Sequence, residues 1–149
     1  LPGMEWAFDV LLETGHTYDS SVFPIRRPGY GWPDAPTAPY DIVRPSGTLR
    51  EYPMTTLDLL GFRIPAAGGG YLRQFPLGVI RRAFRNRQRQ GQPGMFYIHP
   101  WEVDPDQPRI DCDRLTRIRH YRGLERTMPR LERLLGEFQF TSVLPVTAS

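Results

Sequence analysis

Helical and extended stretches alternate along this chain, and that alternation predicts an α/β fold. Apolar residues recur at helical spacing near the start, the middle and the end. Short apolar or aromatic runs stand between those stretches, and glycine and proline punctuate the joins. With 149 residues, 40 % of them hydrophobic, residues 1–149 are expected to bury one core as a single domain.

Met4, Ala7, Phe8, Val10 and Leu11 predict a helix from Met4 to Glu13, stopped by Gly15. Tyr18 to Phe23 reads as a brief strand or extended segment. Over residues 24–47, Pro24, Pro28, Pro33, Pro36 and Pro39 deny the backbone regular pairing, so a long loop is expected. Tyr30, Trp32 and Tyr40 stand among those prolines, where rigid rings either line a groove or pin the loop to the domain. Leu49 to Met54 predicts a strand in which Pro53 lies at a sheet edge or where pairing ends, with a second loop after it. Gly68 to Gly70 have neither the lysine and spacing of a phosphate loop nor a dinucleotide fingerprint, so they are expected to shape a turn.

A helix from Pro76 to Gly91 carries Val79, Ile80, Ala83 and Phe84 as its apolar stripe, with arginines toward the C-terminal end, where the helix dipole favours them. Met95 to His99 predicts a short strand ended by Pro100. Polar residues 102–123 precede another helical stripe of Leu131, Leu134, Leu135 and Phe138, with Pro129 in its first turn. Phe138 to Leu144 is expected as a final strand.

All 19 basic residues are arginine, and 16 acidic residues leave a formal charge of only +3. Five of the arginines lie between Arg81 and Arg89, where they read as a solvated helix face. Phe84, the ring among them, belongs to the apolar stripe, so no row of stacking platforms accompanies the charge and no nucleic-acid partner is expected. Cys112 is the single cysteine and cannot form an internal disulfide, which leaves the compartment open. No apolar run approaches a membrane span, so no transmembrane segment is expected, and no signal peptide is visible after Leu1.

The residues from Phe96 to Glu102 join an apolar run to His99, Trp101 and Glu102. Imidazole titrates near neutral pH, indole offers a flat apolar face, and carboxylate orients or accepts a proton. A histidine at the C-terminal end of a strand faces the ligand crevice in parallel sheets. The same residues also suit a packed, hydrogen-bonded strand terminus. No serine sits on a nucleophile elbow, Cys112 lies in a polar stretch, and His16, His99 and His120 are too far apart to announce a metal site.

Phe96 to Glu102, Arg119 to Leu124 with Arg126 and Thr127, and Tyr18 to Pro24 together resemble a polysaccharide deacetylase, a NodB-type carbohydrate esterase. More narrowly they resemble the branch with a DUF3473-type C-terminal region, which accompanies bacterial exopolysaccharide and exosortase-associated genes. The resemblance covers nearly the whole chain and implies the C-terminal part of a distorted (β/α) barrel. In that family a divalent metal such as zinc is held by an aspartate and an H-x-x-x-H histidine pair, a second aspartate is the base, and an N-acetylated polysaccharide is the substrate. Those motifs belong upstream, so the resemblance implies that the metal ligands and the N-terminal part of the same domain lie outside this chain, and that the fragment alone is inactive.

On the family's late histidine motif, matched here by Ile98 and His99, His99 is the general acid that protonates the departing amine. Trp101 is then a wall of the sugar site, with Tyr71, Tyr30 and Trp32 as further substrate-binding candidates. Asp19 lacks the aspartate-tryptophan pair of the fourth motif and reads as a cap or brace for its strand. Arg26, Arg27 and Pro28 fall too late for the arginine-proline motif and read as loop anchors, and His120 reads as a packing or hydrogen-bonding residue. The competing expectation is a noncatalytic carbohydrate-binding or interaction module, with Tyr30, Trp32, Tyr71 and Trp101 stacking on sugars and arginines meeting acidic sugar groups.

Overall fold

The computed structural model describes residues 3–27 and 29–143. Pro28, and Leu144 at the expected end of the last strand, lie outside them.

Helix α1 (Trp6–Glu13) forms where the apolar spacing places it and buries Phe8 against Val22, Ala35 and Leu49. Its Asp9 receives both arms of Arg44, at 2.8 and 2.6 Å. Strands β1 (Tyr18–Asp19), β2 (Tyr40–Arg44) and β3 (Gly47–Glu51) form a sheet of order β1-β3-β2, with β1 parallel and β2 antiparallel to β3.

The structure narrows one sequence expectation and overturns another. Of the two placements open to the Leu49–Met54 run, the end of pairing holds: β3 is the central strand, stops at Glu51 and leaves Pro53 outside the ladder. The expected loop over residues 24–47 contains β2, whose alternate residues Tyr40, Ile42 and Arg44 face inward. The Pro45-Ser46 turn then lets Arg44 pair with Gly47.

The second expected loop is also a hairpin, of β4 (Thr56–Leu59) and β5 (Phe62–Pro65). Leu60 and Gly61 join them at φ of +51° and +79°. A two-residue turn with both φ positive matches the twist of the flanking strands, but asparagine, aspartate or glycine usually fills its first position. Leucine there gives no turn signal. From β5, Arg63 donates to the carbonyl oxygens of Pro24, Pro33 and Ala35, so the proline-rich segment before β2 is pinned to the hairpin.

Helix α2 (Gly69–Gln74) starts within the glycine run, so those residues open a helix as well as shaping a turn. With α3 (Leu77–Arg89) and α5 (Thr127–Glu137) it encloses the main core of Leu57, Leu72, Ile80, Ala83, Phe84 and Leu134. Leu131 and Phe138 pack onto that core as their spacing predicts, whereas Leu135 faces solvent. Arg87 departs from the solvated arginine face and is buried. Helix α4 (Arg114–Tyr121) is capped by Asp113, whose Oδ1 accepts the N–H groups of Leu115 and Thr116 at 2.9 and 3.0 Å.

Met95 to His99 is not a strand. A parallel bridge pairs Met54 with Met95, and Thr55 donates to the Met95 carbonyl through its N–H and its hydroxyl. The apolar side chains of this run still pack inward at Phe96, so periodicity registered burial where strand pairing is minimal. Residues 138–143 likewise form no strand, since Phe138 and Phe140 pack their rings on Phe84 at 5.4 and 5.8 Å. The architecture is mixed α and β, and neither small sheet closes into a barrel among the described residues. No helix among them is long and apolar enough to cross a membrane.

Candidate functional site

A buried ion pair organises the region around His99. Arg73 of α2 and Glu102 of the 3-10 helix Pro100–Val103 are both buried, and Arg73 Nη1 donates to Glu102 Oε1. Arg73 also donates to the carbonyl oxygens of Arg119, His120 and Arg122, which ties α2 to the end of α4. The other oxygen of Glu102 accepts the His99 N–H at 3.1 Å, and the Glu102 N–H returns to the His99 carbonyl at 2.9 Å. The backbone of His99 is thereby held from both sides, in the manner of a capping box.

Gly69 makes room for this arrangement, because a Cβ there would stand 2.3 Å from Glu102 Oε2. The glycine run thus serves a carboxylate brought from a distant part of the chain.

The imidazole of His99 is exposed and flanked by rings. Tyr97 meets it edge-on at 5.4 Å, and Trp101 lies parallel to it at 5.9 Å with an interplanar angle of 9°. Trp101 also stacks on His120 at 4.0 Å, and the Arg73 guanidinium stands 5.2 Å from the indole centroid. Gln107 Nε2 donates to the Trp101 carbonyl at 2.6 Å, and His120 Nε2 shares a hydrogen bond with Gln107 Oε1 at 3.2 Å. The His99 imidazole therefore stands in solvent beside a braced aromatic wall.

Tyr97 further lines a cleft of about 380 Å³ with Tyr30, Trp32, Phe23 and Met54. Burial first, then the Glu102 charge and Tyr30, raises the Tyr97 phenol above its ordinary value. Of the four sequence-predicted sugar contacts, Tyr30 and Trp32 share this cleft and Trp101 stands beside His99. Trp32 also stacks on Phe8 at 6.2 Å, so it anchors the proline-rich segment as well as lining the cleft. Tyr71 is half-buried behind it, with its hydroxyl bonded to the Tyr30 hydroxyl and the Arg27 guanidinium.

A second polar cluster lies in the sheet, where β1–β3 pairing sets Asp19 opposite Glu51 and β2–β3 pairing sets Tyr40 opposite the same residue. Glu51 is buried. Its Oε1 accepts the Val22 N–H at 3.0 Å, and its Oε2 has no hydrogen-bond partner among the described residues. Burial first, then the Asp19 charge, pushes the Glu51 carboxyl up to about 8. Burial and the two carboxylates push the Tyr40 phenol up to about 12. Asp19 accepts from the Ser21 hydroxyl at 2.5 Å and braces β1, and no hydrogen bond joins it to His99 among the described residues.

Sequence reasoning did not single out Arg73, Gly69, Tyr97 or Arg27 for the site. The sequence marks the glycine run as a turn and Glu102 as a carboxylate beside His99, and nothing in it marks Arg73 as their partner. Among the described residues no group of three or more His, Cys, Asp or Glu side chains stands close enough to hold a metal ion. The divalent metal that the resemblance implies has no ligand set among the described residues.

Fold and site together define a small mixed α/β domain that presents an exposed imidazole on an ion-paired aromatic scaffold. The family model for DUF3473, described as a domain of unknown function, matches residues 20–148, and the chain belongs to that family. No curated protein and no solved structure matches the chain.

Proposed function

We propose that this domain is the C-terminal part of a polysaccharide deacetylase in which His99 protonates the amine released from an N-acetylated sugar. The observation that supports it best is the setting of His99: an imidazole open to solvent, on a backbone held by the buried Glu102 that pairs with Arg73. Amide hydrolysis breaks the C–N bond, adds the oxygen of water to the acyl carbon, and leaves a nitrogen that must gain a proton before the amine departs. His99 gives that proton. Trp101 and Tyr97 bound the space beside it, and Tyr30 and Trp32 offer ring faces to the sugar along the cleft. In this reading the base, the divalent metal and the strands that complete a (β/α) barrel come from sequence outside this segment.

The test is His99→Gln in the protein that carries this segment, assayed by acetate release from an N-acetylated oligosaccharide. Turnover is expected to fall by about 10²–10⁴-fold, as for loss of a general acid, with KM changed little. An aryl acetate, whose leaving group departs without a proton, should lose far less. Equal losses on the two substrates, or unchanged acetate release, would remove His99 from this role. A noncatalytic sugar-binding module is the second reading, favoured by the aromatic cleft. It predicts saturable binding of acetylated oligosaccharides with no acetate released by the wild-type protein.

A further inference from the structure

Arg27 is exposed and forms no ion pair with a carboxylate among the described residues. Its Nη1 donates to the Tyr71 hydroxyl, that hydroxyl is bonded to the Tyr30 hydroxyl, and the guanidinium carbon stands 5.6 Å from the centroid of each ring. Burial, then the Tyr30 hydrogen bond, raises the Tyr71 phenol well above its ordinary value, so it is neutral at neutral pH and is no counter-ion.

Anchoring the proline-rich segment accounts for the bond to Tyr71, but a neutral donor would anchor it equally well. The rest of the guanidinium fork is left over. Its planar N–H array matches a carboxylate, and neighbouring phenol hydroxyls supply further donors or acceptors. The position is also specific. Tyr30, which neighbours the Arg27 guanidinium, lines the cleft together with Tyr97, and Tyr97 stands edge-on to His99, so Tyr30 and Tyr97 link the cation to the imidazole along the cleft.

We infer that Arg27, Tyr30 and Tyr71 form a carboxylate-binding subsite, and that the glycan reaching His99 contains uronic acid as well as N-acetylated sugar. The subsite stands on the geometry of these three residues, and only its link to a scissile acetamide rests on the deacetylase reading.

Calorimetric titration of the full chain tests it, using a tetrasaccharide that alternates N-acetylglucosamine and glucuronic acid. The same sugar with each carboxylate reduced to a hydroxymethyl group is the comparison, and circular dichroism checks that every variant is folded. The wild-type chain is expected to bind the acidic form roughly tenfold more tightly than the reduced form, the scale of a charge-assisted contact. Arg27→Gln should erase that preference, and Arg27→Lys, which keeps the charge without the planar fork, should restore part of it. Arg82→Gln, on the exposed face of α3, should leave the preference intact and so separates the subsite from general attraction to arginine. Equal affinity for the two sugars, binding of neither, or a preference that survives Arg27→Gln would overturn the subsite. The catalytic reading fails separately, if the parent protein releases no acetate while the Arg27-dependent preference persists.

Discussion

Glu51 is the residue whose chemistry departs furthest from its ordinary behaviour. Fully enclosed by the sheet, it has one oxygen bonded to Val22, one unpartnered, and the Asp19 charge alongside. With its carboxyl pushed up to about 8 from 4.5, the folded chain keeps a proton that the unfolded chain gives up. Below pH 4.5 both states are protonated and the group contributes no penalty. Between 4.5 and 8 the unfolded state binds fewer protons, so stability falls as pH rises, and above 8 the loss is complete. The effect is on the order of a few kcal/mol. Glu51→Gln keeps an acceptor for the Val22 N–H and cannot ionise. In urea titrations across that pH range it should flatten the decline and be the more stable form at pH 8. A wild-type stability that rises with pH through this window would contradict the assignment. The sequence placed Glu51 in a strand but gave no reason to expect a buried acid, because the parallel pairing that sets Asp19 opposite it joins residues distant along the chain.

Among the elements, the β4–β5 hairpin contains an avoidable conflict between residue and backbone. Leu60 holds a left-handed φ of +51° while 89 % exposed, so its side chain gains little packing in return for the steric cost. Asparagine tolerates that conformation, and Leu60→Asn should raise stability by about 1 kcal/mol, read as a higher thermal midpoint. No gain would mean that the turn owes its shape to something other than local preference. Helices were the most legible elements: α1, α3 and α5 lie where the apolar stripes predict them, since a helix writes its buried face into the sequence at a fixed period. Strands were less legible. The run at Met95 was apolar because Phe96 packs into the core, while β2, β4 and β5 follow or precede turns whose residues, Pro45-Ser46 and Leu60-Gly61, send no strong hairpin signal.

For the molecule as a whole, α5 closes the main core. Leu134 is fully buried between Leu72 and Ile80, and Arg130 donates to the carbonyl oxygens of Leu72 and Phe75 at 2.6 and 2.8 Å. Leu134→Ala should therefore lower unfolding stability by about 2–5 kcal/mol in denaturant titration. A loss well under 1 kcal/mol would mean that α5 is held by its polar contacts and that the core closes without it. Because α5 holds α2 and α2 carries Arg73, the same packing supports the geometry around His99.

The sequence alone determined that this chain is mixed α and β, where α1, α3 and α5 lie, and which segment carries the imidazole. Each of those follows from local periodicity or from residue chemistry within a short stretch. Only the tertiary structure decided that Arg73 and Glu102 form the buried pair behind His99, that Gly69 must lack a Cβ beside that carboxylate, and that Arg27 meets Tyr30 and Tyr71 at the cleft. Those choices depend on contacts between residues tens of positions apart. Such pairings are set by how the helices and hairpins pack, and no local pattern encodes them.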